Sequence, residues 1–180
     1  MSELVVVVHA MTEALRAARF PGDESLEPFR AGRALPAPLG TAFARADCVL
    51  TAPEARARET AALFGVDSHV EQALREQDPG AWAGKVPADL DPTELGTWLG
   101  DPGFAPPGGE SVDALLGRVG RWLGDVGEGR TVAVTHPAVT RAVAVRALDL
   151  PADRFWRIEA RPLSALYLRR DHRGWTVQLR

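Results

Sequence analysis

Residues 4–8 read Leu-Val-Val-Val-Val, an uncharged, mostly β-branched run that stops at His9. A run this short and unbroken predicts a strand buried on both faces, inside a sheet that carries cover on either side. Thr131–Thr135 is a second such run and ends at His136. Cys48–Thr51 is a third, and a helical pattern follows it at once. Ala57, Thr60, Ala61 and Phe64 fall at i, i+3, i+4 and i+7, one stripe of a helix that Pro53 can open. Pro137 suits a first helical turn after His136, and Val139, Ala142, Val143 and Ala147 continue its stripe.

The longest helix is expected to start at Ser111 as N-cap, with Val112, Leu115, Leu116, Val119, Trp122, Leu123 and Val126 facing the core. Ala165–Arg169 and Trp175–Leu179 read as two closing strands around an Asp171–Gly174 turn. Alternating strands and helices predict an α/β three-layer sandwich, a mostly parallel central sheet with helices on both faces. At 180 residues and 46% apolar content, residues 1–180 are expected to form a single domain with a real core. Pro79–Pro107, rich in Gly and Pro, is expected to run over the top of the sheet, and Phe20–Leu39 to hold a short helix ending before Pro36 and Pro38.

Charge and cysteine content narrow the function classes. A net charge of −3 gives no general attraction to nucleic acid or anionic membrane. The longest apolar run is too short to span a bilayer, and no basic stretch precedes it as in a secretion signal. One cysteine, Cys48, excludes an internal disulfide framework and fits a reducing, cytoplasmic setting. Lys85 is the only lysine and asparagine is absent, while Ala, Arg, Gly and Pro abound; this reads as GC-rich, bacterial coding. Arginine therefore carries no functional meaning by abundance alone. If the chain binds anions, a local pocket does it.

Such a pocket is legible at the strand ends. Three predicted strands stop at His9, Thr51 and Thr135–His136. In open α/β sheets ligands bind outside the carboxyl ends of the strands, where helix N-termini favour phosphate or carboxylate. Arg56, in the first turn after Thr51, projects into the same space. A lone strand-end histidine is commonly a structural hydrogen-bonder, but two at equivalent strand ends point to function. His69 and His172 read as surface residues, Cys48 as a small buried hydrophobe, and the tryptophans as core or cleft wall.

With these residues in view, the chain resembles the histidine phosphatase superfamily, of phosphoglycerate mutase-like fold. That family opens on a strand ending Arg-His-Gly-x-Thr, and here the segment is Val8-His9-Ala10-Met11-Thr12. Its Ser-Pro-x-x-Arg-Ala-x-x-Thr-Ala element corresponds to Ala52–Ala61, differing at the first position. Leu-x-Glu-x-Asp-x-Gly-x-Trp-x-Gly is matched from Leu74 to Gly84, and Pro-Gly-Gly-Glu-Ser at Pro107–Ser111. Thr135-His136, followed by Val139 and Arg141, matches the second histidine block.

The resemblance implies that His9 attacks phosphorus and becomes a phosphohistidine. It further implies that Arg56 and His136, the latter as imidazolium, bind phosphoryl oxygens, while Glu76 protonates the departing alkoxide and then activates water. Thr12, Arg16 and Thr135 complete the expected phosphate-binding set. The expected substrate is a small phosphorylated molecule, with no cofactor and no metal; oligomeric state is left open. A mutase is less favoured, because the excursion between Gly84 and Pro107 is short for a cap.

Two departures stand out. The arginine that ordinarily precedes the nucleophilic histidine is Val8, and an asparagine expected further on corresponds to Leu15. A lost charge-assisted hydrogen bond is worth roughly 1.5–3 kcal/mol, or about 10- to 150-fold in binding. Arg16, Arg19 and Arg141 are the arginines near enough in the pattern to substitute, although Arg141 reads as structural. The leading expectation is a phosphohydrolase acting on a small phosphate ester, weakened by the lost arginine. The alternatives are the same scaffold turned to acid/base chemistry on a less charged molecule, or a non-catalytic binding protein. A zinc hydrolase is disfavoured because no short His-x-x-x-His spacing occurs.

Overall fold

The computed structural model describes residues 1–28 and 35–179. Its elements run β1 (Ser2–Val8), α1 (Glu13–Arg16), α2 (Ala37–Ala44), β2 (Cys48–Thr51), α3 (Ala55–Ala62) and β3 (His69–Val70). They continue with α4 (Pro92–Gly100), α5 (Val112–Asp125), β4 (Gly129–Thr135), α6 (Pro137–Ala147), β5 (Ala165–Asp171) and β6 (Gly174–Gln178). The strands form one sheet in the order β3-β2-β4-β1-β5-β6.

β1, β2, β3 and β4 pair in parallel, whereas β5 runs antiparallel to β1 and β6 antiparallel to β5. The sheet is thus mostly parallel, as expected, with the two closing strands antiparallel: the short Asp171–Gly174 turn can only reverse the chain, since a parallel partner needs a long crossover. Val6 and Val7 are both fully buried although successive strand residues point to opposite faces. Both faces of the sheet are therefore covered, as in a three-layer α/β sandwich. Ser111 caps α5 by accepting from the Ala114 N–H, and every expected core residue of that helix is buried, with Val126 just past its end. No helix among the described residues is long and apolar enough to cross a membrane.

Some boundaries differ from expectation. α3 stops at Ala62, and Phe64 lies beyond it, stacked on Phe43 of α2 at 4.1 Å. Pro36 and Pro38 open α2, because proline fits a first turn. The short helix expected before them falls partly on residues 29–34, outside the described residues. Cys48 is half-buried, at the start of β2.

Parallel pairing brings three chain ends to one edge of the sheet. Val8 pairs with Thr135 and Thr51 with Val134, so β1, β2 and β4 finish side by side. The backbone N–H of His9 then donates to the Thr135 carbonyl at 2.9 Å. His9 and His136 become neighbours for this reason.

A second device carries the Glu76 loop to the same edge. Two glycine-containing segments meet there: a Cβ on Gly80 would stand 2.3 Å from the Pro107 carbonyl oxygen, and one on Gly109 2.5 Å from that of Asp78. Gly80 also sits at φ +52°, a left-handed conformation that glycine adopts freely. Beneath the contact, buried Arg118 of α5 takes Glu110 in a two-pronged pair at 3.0 and 2.6 Å. The same guanidinium donates to the carbonyls of Ala73 and Arg75 at 2.7 and 3.0 Å. Arg118→Ala should therefore lower stability by about 2–4 kcal/mol, since it leaves a largely buried carboxylate with only the exposed Arg75 at 3.5 Å and frees two carbonyls. A urea melt measures this; a loss below about 1 kcal/mol, the worth of an exposed pair, would show that the clamp contributes little.

Candidate active site

Four segments supply the site. His9 follows β1, Arg56 lies in the first turn of α3, Glu76 follows the 3₁₀ turn Gln72–Leu74, and His136 is the N-cap of α6. The rings of His9 and His136 stand edge to face with centroids 5.2 Å apart. Both are buried, as is Arg56 at 1% exposure. His9, Arg56 and Glu76 line a cleft of about 170 Å³.

A chain of hydrogen bonds fixes His9. Its Nδ1 lies 2.7 Å from the Ala10 carbonyl oxygen, and a carbonyl can only accept, so the proton is on Nδ1 and Nε2 keeps its lone pair. The Ala10 N–H donates to Thr60 Oγ1 at 2.9 Å, and that hydroxyl donates to the Arg56 carbonyl at 2.7 Å. The nucleophile candidate is thereby tied to the helix that carries the guanidinium. Burial, helped by the neighbouring His136 and Arg56, lowers the His9 pKa to about 3 against the opposing hydrogen bond at Ala10 and the charge of Glu54. The ring is neutral at pH 7.

Arg56 holds the opposite side. Its Nε donates to His136 Nδ1 at 3.2 Å, Nη1 to the Gly22 carbonyl at 2.6 Å, and Nη2 to Glu76 Oε2 at 3.4 Å. With Nδ1 accepting, the His136 proton sits on Nε2 and is donated to Glu54 Oε2 at 2.8 Å. The other oxygen of Glu54 accepts the Glu76 backbone N–H at 3.0 Å. Burial resists ionisation of Glu54, but the hydrogen bond and charge of His136 and the Glu76 N–H outweigh it and hold its pKa at about 2. One carboxylate thus orients the imidazole and anchors the loop of Glu76.

Thr12 also reaches the cleft, donating to Glu24 at 3.0 Å and capping α1 at Leu15 N. The other two residues expected to bind phosphate do not reach it. Arg16 is exposed and paired twice with Glu27; Leu15 faces the cleft, and the next helical residue lies about 100° round the axis. Thr135 is fully buried and donates to the Leu74 carbonyl at 2.7 Å, bracing the segment before Glu76 instead. Val8 is fully buried and offers no surface to the cleft, whereas Leu15 offers apolar surface there.

The sequence reading missed Glu54, which stands at a variable position of its motif and carries no signal beyond lying two residues before Arg56. It also undervalued Arg141. This residue lines the cleft, donates from Nε to the Ile158 carbonyl at 2.9 Å and lies over the Trp156 ring at 5.5 Å. Its position one turn beyond Pro137 and Ala138 on α6 was the readable signal.

The sequence model of the histidine phosphatase superfamily (branch 1) matches residues 4–180. The chain belongs to that superfamily. The phosphatase fold recurs in solved structures: phosphoserine phosphatase of Entamoeba histolytica, bound to phosphoserine, superposes with TM-score 0.82 at 16% identity, covering 99% of this chain and 96% of that one. A mycobacterial glucosyl-3-phosphoglycerate phosphatase gives 0.79 at 22% identity, with 98% and 97% covered. A protein of Thermus thermophilus gives 0.72 at 30% identity, with 98% and 96% covered. A bifunctional protein of Mycobacterium tuberculosis is 37% identical over 121 residues, 61% of this chain. The match spans about a third, 33%, of that relative's length.

In this member of the superfamily, His9, Glu76 and His136 each offer one ligand atom within 4.8 Å of the others, a spacing a divalent ion can bridge. Arg56 touches two of the three, so a cation there would meet a fixed positive charge. The set suits an anion better.

The two shifted groups make stability depend on pH with a definite sign. Above pH 6.5, His9 is neutral whether folded or not and has no effect. As pH falls from 6.5 toward 3 the unfolded chain takes up a proton that the folded ring refuses, so stability drops, by at most roughly 1.4 kcal/mol per pH unit from this group. Glu54 adds a loss in the lower window, from 4.5 toward 2. Denaturant melts at pH 6.5 and pH 5 should therefore show a smaller loss in His9→Gln than in the parent chain. Equal losses, or a His9 resonance titrating near pH 6.5 in NMR spectra, would contradict the buried neutral ring.

Proposed function

We propose that this chain is a phosphatase that removes the phosphoryl group from a small phosphate monoester through a phosphohistidine on His9. The observation that carries this reading is a neutral His9, its Nδ1 proton committed to Ala10, held beside a buried guanidinium, a second imidazole and a carboxylate. Phosphoryl transfer asks for positioning and for positive charge around the equatorial oxygens more than for covalent ingenuity. This cluster supplies both.

In the first step His9 Nε2 forms a bond to phosphorus while the ester P–O bond breaks. Glu76 gives its proton to the departing alkoxide, which leaves as the alcohol. Arg56 holds the equatorial oxygens through charge-assisted hydrogen bonds, and His136 joins it when Nδ1 also takes a proton and turns from accepting to donating, Nε2 staying bonded to Glu54. In the second step water loses a proton to Glu76 and attacks phosphorus, the P–N bond breaks, and inorganic phosphate leaves with His9 restored. Glu54, behind His136, stabilises that ring when it carries a positive charge.

Kinship supports the reading: the chain's family is that of the histidine phosphatases, and similar folds include enzymes for phosphoserine and for glucosyl-3-phosphoglycerate. Acid/base chemistry on an uncharged molecule would leave the guanidinium of Arg56 with no anion beyond Glu76.

Turnover of p-nitrophenyl phosphate tests the assignment. His9→Ala should abolish it, and Arg56→Ala should lower kcat on the order of 10³-fold. Unchanged turnover in His9→Ala would remove His9 as the nucleophile.

A further inference from the structure

The cleft has a second half that the phosphoryl chemistry does not use. Besides His9, Arg56 and Glu76 it is lined by Leu15 and by the aromatic side chains Phe20, Trp98 and Trp156. These come from α1, the loop after it, α4 and the 3₁₀ turn Ala152–Arg157. Trp98 is the hub: its ring centroid lies 4.4 Å from that of Trp156, 5.5 Å from Phe20 and 5.7 Å from Trp82. Trp82 is buried behind this wall, but Phe20, Trp98 and Trp156 are only half-buried and keep aromatic surface turned to the cleft. Arg141 pins Trp156 by lying over its ring while bonded to the Ile158 carbonyl.

Charge in the cleft is balanced. Arg19, Arg56 and Arg141 face Glu24, Glu76 and Asp78. Arg56 belongs to the phosphoryl end, and Arg19 is 3.4 Å from Glu13. A second phosphate or a carboxylate on the substrate would find Arg141 over the Trp156 ring, but with three carboxylates against three guanidiniums the cleft as a whole has no net positive charge to draw it in.

We infer that the alcohol part of the substrate is uncharged and apolar, an aromatic or similarly flat group seated between Leu15 and the Trp98–Trp156 wall. This rests on the phosphatase reading above. The substrate class is then phosphomonoesters with one dianionic phosphate and an apolar arm, not bisphosphates or phosphorylated acids. Leu15 adds apolar contact where a polar side chain would add a hydrogen bond.

The test compares 2-phenylethyl phosphate with 2-hydroxyethyl phosphate, two primary-alcohol esters of similar leaving-group strength. Seating the ring should raise kcat/KM on the order of 10- to 100-fold for the phenylethyl ester. Trp98→Ala, and Leu15→Asn as a second variant of the same branched shape, should each cut that ratio while turnover of the hydroxyethyl ester persists. Equal kcat/KM for the two esters, or a ratio unmoved in both variants, would overturn the apolar seat. Calorimetry with the matching phosphonates, which do not turn over, separates the two claims. Tighter binding of 2-phenylethylphosphonate without hydrolysis of either ester would keep the seat and remove the phosphatase. Hydrolysis of both esters with no phosphonate preference would do the reverse.

Discussion

A guanidinium sealed from water must find partners for its charge and its N–H groups, or its burial is too costly to sustain. Arg56 meets this demand with His136, Glu76 and the Gly22 carbonyl, drawn from three other segments of the chain. The same contacts set the protonation pattern. Donation to His136 Nδ1 places that ring's proton on Nε2, where Glu54 accepts it, and the positive charge helps keep His9 neutral. Geometry and electrostatics of the cluster are two consequences of one buried charge.

The two positions singled out by the resemblance have a physical meaning of their own. Val8, fully buried, brings no cation to the proposed nucleophile and Leu15 brings apolar surface, yet Arg141 stands at the cleft from another direction, on α6. Burial lowers the Arg141 pKa, with the charge of Glu76 acting against that effect. The cleft is left with the buried guanidinium of Arg56 beside the histidines and with an aromatic wall of Phe20, Trp98 and Trp156, over which Arg141 lies. A pocket built in this way suits a molecule that is anionic at one tip and apolar along the rest.

Much of this was legible in the sequence because it rests on local rules. The strand-end histidines followed from apolar runs that stop at a polar residue, and the long helix followed from its 3.6-residue stripe and Ser111 cap. Arg56 and Glu76 came from motif spacing. What escaped depends on the third dimension. Thr135 looks like Thr12 in sequence, yet its hydroxyl turns to the Leu74 carbonyl and away from the cleft. Glu54 looks like a helix-start charge until His136 is seen against it. The aromatic wall joins residues 20, 98 and 156, whose meeting is decided by loop packing that no periodicity encodes. The closing hairpin was legible too, since the short Asp171–Gly174 turn between two apolar runs can only reverse the chain.

Vanadate, which adopts the five-coordinate geometry of a transferring phosphoryl group, offers the most direct measurement. A crystal structure of the vanadate complex should show vanadium bonded to His9 Nε2, equatorial oxygens contacting Arg56 and His136, and Glu76 beside the apical oxygen opposite the ring. Vanadate seated away from His9, or held without Arg56, would contradict the assignment of this cluster as a phosphoryl-transfer site.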